Sequence, residues 1–182
     1  MIAHELGIAN RIETIHVMTR DEPRALLALN PCGKIPVLVT RKGAIPDSTL
    51  ICDYLAVHAG KSCTASSASP ECWRARAAQA DAMLDAEMLV RAERLRPEAE
   101  RSVQWEQMQL RKINRNLDMF QTEAGEAGEE FGIAKISLAC ALSYFRLRFE
   151  ADDLFARQPK LARWLEWVSK RASMTETAPP SK

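Results

Sequence analysis

The stretch "GKIPVLVTRKGAIPDST", residues 33–49, decides how the first half of the chain is built. "IPVLV" is a short, β-branched apolar run, too brief for a helix and typical of a strand. Lys42-Gly43 supplies a turn, and Ala44 to Pro46 returns as a second leg, so the pattern predicts a hairpin. Pro36 cannot donate to a sheet ladder and belongs at an edge or at the head of a strand. A trans Ile35–Pro36 bond would make it an ordinary edge proline. A cis bond would turn the Ile35 N–H and C=O away from the ladder, toward a peptide-like ligand lying antiparallel to the chain.

The stretch ends on Asp47-Ser48, where the pattern changes to a helix. Ser48 at a helix start offers a hydroxyl beside unsatisfied backbone N–H groups, a combination that binds a carboxylate. Asp47 can hold an ammonium. An α-amino acid carries both charges close together, so the pair suits a zwitterionic end. The same two residues also read as a simple helix cap. Lys34 could take a second carboxylate, or stand solvated on the surface.

Working outward, residues 1–6 read as a helix end closed by Gly7. "RIETIHV", Arg11 to Val17, alternates in the manner of a strand. Asp21 and Pro23 open a second helix that Asn30-Pro31 ends, and Ser48 starts a third that stops at Gly60. Residues 61–70, "KSCTASSASP", are a small-residue linker between a domain at 1–60 and another at 71–182. After it the helical period takes over. Pro70 opens a helix to about Arg96. A second runs from Glu98 to about Glu123, with Trp105, Met108, Ile113, Leu117 and Phe120 on its buried face. "AGEAGEE" is a polar loop. Ile133, Ile136, Cys140 and Phe145 mark a third helix, and Leu161, Trp164, Leu165 and Val168 a fourth. An α/β domain is therefore followed by an all-α one.

Bulk properties narrow the function. The 182 residues carry 25 basic and 24 acidic side chains, which gives no global field for nucleic acid or an anionic membrane surface. Residues 136–145, the longest apolar run, are too few to span a bilayer. "MIAHELG" has His and Glu where a signal peptide needs an apolar core. Five cysteines without a C-x-x-C fit a reduced, cytoplasmic setting. His4, His16 and His58 show no metal-ligand spacing with them, so no metal site is expected. Cys32 has no histidine near it in sequence to make it a nucleophile. Asp81 and Asp85 share a helix face, more suited to solvent or an interface than to acid–base work.

"NPCGKIPVLV…DSTLICDYL" resembles the amino-terminal, thioredoxin-like domain of cytosolic glutathione S-transferases, in which N-P-x-G-K-x-P-x-L is followed by an acid–serine pair and Y-L. "ARAAQADAMLDAEMLVRAERLRPEAERS", "QLRKINRNLDMF", "ISLACALSYFRLRF" and "LARWLEWVSKRASMTETAPP" resemble, in order, the helical domain of a bacterial subgroup of that family. The resemblance implies a glutathione site. Ile35 would meet the cysteinyl backbone through its main chain, with Pro36 cis. Asp47 and Ser48 would hold the γ-glutamyl end and Lys34 the glycine carboxylate. It further implies an apolar electrophile against the helical domain, and a homodimer.

Two departures from the family accompany the resemblance. The family's thiolate-stabilising Ser, Cys or Tyr lies after its first strand, whereas Met1 aligns inside the first helix. About 16–19 residues would precede it, and no catalytic residue is assigned within this chain. Either the full protein is a conjugating transferase, or the chain is a truncated, non-catalytic binding or scaffolding relative. A sheet lacking that strand should leave residues 11–17 and 36–39 with unpaired edges or force them to pair across the gap. The buried helix also has Gly132 and Lys135 where the family commonly has a capping box.

Overall fold

The computed structural model describes residues 1–62, 69–123, 131–149 and 154–179. The chain divides into two compact units, Met1–Cys63 and Thr64–Lys182.

In the first unit, helix α1 (Ile2–Glu5) ends at Gly7, whose φ of +74° is open to glycine at little cost. Lys61 closes the same corner by donating from Nζ to the Leu6 carbonyl at 3.0 Å. Helix α2 (Arg24–Leu29) follows Pro23 and stops before Pro31. Strands β1 (Val37–Thr40) and β2 (Gly43–Pro46) form an antiparallel hairpin in the register Val37 to Pro46 and Thr40 to Gly43. The Thr40 hydroxyl donates to the Gly43 carbonyl at 2.8 Å and accepts from the Lys42 N–H, which tightens the turn. Helix α3 (Ser48–His58) packs on both strands and on α1 through Ile51, Leu55 and Ala56, buried with Leu6 and Ile8.

Residues 11–17 are not a strand. A 3₁₀ turn occupies Ala9–Arg11, and residues 12–18 follow without a ladder. Ile12 has extended dihedrals, yet Ile15 is 77% exposed. The alternation that predicts a strand specifies only an extended backbone with two faces. A strand also needs a neighbour to hydrogen-bond, and among the described residues the sheet contains β1 and β2 alone.

The second unit is a helical bundle. Helix α4 (Pro70–Arg94) begins after Ser69, whose hydroxyl accepts from the Cys72 N–H. Helix α5 (Val103–Glu123) starts later than the expected Glu98, because residues 98–100 form a separate 3₁₀ turn and Ser102 caps the helix by accepting from the Trp105 N–H. Ion pairs Arg94–Glu106 at 2.7 Å and Arg76–Glu123, with Nε donating at 2.8 Å, set α4 and α5 antiparallel. Ile113, Leu117 and Phe120 are buried as the spacing predicts. Trp105, however, is 41% exposed, and Gln109 takes the buried position one turn before Ile113.

Helix α6 (Ile133–Arg148) is apolar nearly all round and is the core of the unit, with Ile136, Leu138, Leu142 and Phe145 buried. Lys135 lies over the Trp73 ring at 5.8 Å and Arg94 over Phe149 at 5.3 Å, so α4 and α6 run in the same direction. Gly132 offers α6 no side-chain cap, and the ring of Trp73 gives Lys135 a favourable face instead. Helix α7 (Pro159–Val168) is capped from another element. Gln121 of α5 accepts from the N–H groups of Lys160 and Leu161 at 3.1 and 3.0 Å. A short α8 (Ala172–Thr175) follows. Most of the 61–70 linker and the "AGEAGEE" loop lie outside the described residues.

One residue breaks the pattern of this core. Glu87 sits one turn after Met83 and one before Val90, fully buried, and neither carboxyl oxygen has a hydrogen-bond partner among the described residues. Burial pushes its carboxyl from 4.5 up to about 9. The folded chain therefore keeps a proton that the unfolded chain releases above pH 4.5, and stability falls as pH rises toward 9, by up to about 1.4 kcal/mol per pH unit. Glu87→Gln removes that titration. Its urea midpoint should match the parent near pH 4.5 and exceed it increasingly toward pH 9. Tryptophan fluorescence reads this unit alone, since Trp73, Trp105, Trp164 and Trp167 all lie in it. Parallel pH profiles for the two proteins would refute the assignment.

Candidate functional site

The site is built on residues 30–48 of the first unit, and Asn30 organises its first part. Asn30 is buried, and its side chain uses both ends of the amide. Nδ2 donates to the Lys34 carbonyl at 2.9 Å, and Oδ1 accepts from the Cys32 N–H at 3.2 Å. Gly33 completes the turn with φ +63° and a 2.9 Å bond to the Asn30 carbonyl. Lys34 leaves this turn exposed, with no acidic partner for its ammonium among the described residues.

The Ile35–Pro36 bond is cis. Ile35 is 55% exposed, its N–H and C=O have no partner among the described residues, and the β ladder begins only at Val37. One residue of main chain is thus presented, donor and acceptor together, at the head of the hairpin.

Across the hairpin, Asp47 joins β2 to α3 at φ +79° and ψ 126°. Positive φ is uncommon for a residue other than glycine, and Asp is among those that tolerate it. Asp47 Oδ1 accepts from the Thr49 N–H at 2.8 Å and from the Leu50 N–H at 3.1 Å. The cap reading of Asp47 is therefore correct as far as it goes. One oxygen does all of the capping, and Oδ2 has no hydrogen bond among the described residues. Ser48 is exposed, and both its hydroxyl and its N–H are without partners among the described residues. The cap thus takes two of the N-terminal amides and leaves the third, that of Ser48, beside a hydroxyl.

Residues 30–48 contain three side chains with a hydroxyl or thiol, namely Cys32, Thr40 and Ser48. Thr40 is bound to the turn, and Cys32 is exposed on the outside of the Asn30 loop. Among the described residues no group of three or more His, Cys, Asp or Glu side chains is arranged to hold a metal ion.

The profile of the glutathione S-transferase N-terminal domain matches residues 1–58. The GST-like protein YibF of Escherichia coli strain K12 is 30% identical over 97% of this chain and 89% of its own length. The chain belongs to the glutathione S-transferase family. Among solved structures, a glutathione transferase family member from Pseudomonas fluorescens Pf-5 with bound glutathione is 35% identical. It superposes with a TM-score of 0.89, over 99% of this chain and 91% of that one. A glutathione S-transferase from Methylobacillus flagellatus KT with glutathione bound is 29% identical, with a TM-score of 0.84 over 98% and 91%. The two units accordingly match the thioredoxin-like amino-terminal and helical carboxy-terminal domains of the glutathione S-transferase family.

Within residues 30–48, the residue that sequence reading passed over is Asn30. The signal was present, since an asparagine closing a helix before Pro-x-Gly has an amide free for the turn, but it read only as a helix end. The double duty of Asp47 can be tested directly. Asp47→Ala should destabilise α3 by about 0.5–2 kcal/mol, while Asp47→Asn keeps an oxygen for the cap and should cost less. Amide hydrogen exchange of α3 resolves the two, and equal exchange rates in all three proteins would refute the cap.

Proposed function

We propose that this chain binds glutathione on residues 34–48, as the glutathione-binding part of a protein that transfers glutathione to an apolar electrophile. The main support is the set of open groups at the site: the Ile35 N–H and C=O, the Ser48 N–H and hydroxyl, and Asp47 Oδ2. Their chemistry matches a γ-glutamyl peptide. The Ile35 main chain pairs with the cysteinyl backbone, as one rung of an antiparallel ladder does. Ser48 holds the γ-glutamyl α-carboxylate with two donors at the positive end of α3, and Asp47 Oδ2 takes its ammonium. Lys34 neutralises the glycine carboxylate.

In the transferase reading the bound thiol ionises against a donor and the positive end of a helix, and the thiolate attacks the electrophile. That donor lies outside residues 30–48, where Thr40 is engaged in the turn and Ser48 faces the carboxylate. A second reading, glutathione binding without conjugation, draws its support from the same fact. In both readings the working form is a homodimer in the cytoplasm.

Calorimetric titration with glutathione tests the binding. Ser48→Ala and Asp47→Asn should each weaken it by about tenfold or more, the scale of a hydrogen bond to a charged group. Lys34→Ala should do so by less, because its side chain stays exposed. Unchanged affinity in Asp47→Asn, whose helix cap survives, would overturn the site. Turnover of an aryl halide separates the readings. The 182-residue chain should bind glutathione without accelerating conjugation over the solution reaction, and clear acceleration would place the thiolate-stabilising group within it. The intact mass of the protein from its own cells then shows whether more chain supplies that group.

A further inference from the structure

The charges of the helical unit are sorted by face. Around α4 the arginines are answered: Arg76 pairs with Glu123, Arg94 with Glu106, and Arg96 with Glu93 and Glu100. Helix α5 supplies Glu106 and Glu123 to those pairs, and so turns both of its glutamates toward α4.

The opposite face of α5 carries the other sign. Ile113, Leu117 and Phe120 mark the buried arc of this helix. Arg111 and Arg115, one turn apart, lie across the helix from that arc, and both are exposed. Asp118 continues their stripe, and its Oδ1 accepts from Gln158 Nε2 at 2.9 Å. Gln158 immediately precedes α7, so this bond joins the stripe to a second one. There Arg157, Lys160 and Arg163 are exposed, and Trp167, one turn beyond Arg163, is 42% exposed.

None of these five cations has an ion pair among the described residues, and no hydrogen bond engages its charged group. The acids on the outer faces of α5 and α7 are Asp118, which Gln158 already engages, and Glu166. A chain whose total charge is +1 thus carries a local surplus of positive charge where two of its helices are tied together.

The form of the surplus narrows what it suits. Arg111 to Asp118 and Lys160 to Trp167 each run about 10 Å along a helix, enough for several anionic groups of one segment and too long for a single small anion. Guanidinium forks match carboxylates, and Arg and Trp are the side chains enriched where protein partners bind. A near-neutral chain offers no long-range field to a polyphosphate backbone, whereas carboxylates on a protein segment need only a local match.

We propose that the α5–α7 face docks a carboxylate-rich segment of a partner protein. The arginines and Lys160 meet its acids, and Trp167 meets its apolar side chains.

Calorimetry on the full chain tests this with a short synthetic peptide of glutamates interspersed with leucine. The comparison probes are the same peptide with glutamine for glutamate, and an oligothymidylate of equal length. The glutamate peptide should bind, added salt should weaken it, and the glutamine peptide should not bind. Arg111→Gln, Arg115→Gln and Arg163→Gln combined should lower the affinity by about tenfold or more. None of the three has a partner to lose, so the urea midpoint should stay close to that of the parent. Arg11→Gln, Arg20→Gln and Arg41→Gln combined make the same change in net charge on exposed residues of the first unit. That triple should leave binding within about twofold. Equal losses in the two triples, equal affinity for the glutamine peptide, or no binding of the glutamate peptide would overturn the proposal. Tighter binding of the oligothymidylate would overturn it in favour of a nucleic-acid backbone.

Discussion

A helix begins with amides that its own turns cannot satisfy, and the way each is answered shapes this molecule. At α4 and α5 the answer is a serine immediately before the helix, Ser69 and Ser102. At α7 it comes from a neighbour, because Gln121 of α5 reaches two N–H groups and thereby fixes α7 to α5. At α3 a single oxygen of Asp47 takes two amides. That economy makes a ligand site possible there. A cap that used both carboxyl oxygens, or that occupied the Ser48 N–H, would leave nothing to meet a zwitterion. The positive φ at Asp47 is part of the same arrangement, since it swings the chain out of β2 so that the carboxylate can fold back over the helix mouth.

Much of this was legible in the sequence because the determinants are local. The hairpin follows from a β-branched run and a Lys-Gly turn, and the register of β1 on β2 places Gly43 where the turn needs it. Asp47-Ser48 reads as a helix start from composition alone. The helical arcs of α5, α6 and α7 follow from period, with Ile113, Phe145 and Leu165 buried where expected. What failed depends on partners distant in sequence. Residues 11–17 have the alternation of a strand and no neighbour to complete it. Trp105 occupies a buried phase of α5 but falls in its first turn and is 41% exposed, whereas Gln109, one turn further on, is fully buried. The open and closed oxygens of Asp47 are also invisible to sequence, since one carboxylate has a single letter whichever atom does the capping.

Glu87, and Arg91 and Arg148 near the C-terminal ends of α4 and α6, show how differently one bundle treats charge at two levels. Both α5 and α6 pack against α4, and the Glu87 carboxyl in its interior is out of reach of solvent and without a partner among the described residues. The inexpensive response is to keep a proton, because a buried unpaired charge costs several kcal/mol while a neutral acid costs only its unmade hydrogen bonds. One to two turns further on, α4 reaches its end and the packing opens. Arg91 and Arg148 there keep their charge, because guanidinium groups hold their protons and water can reach them.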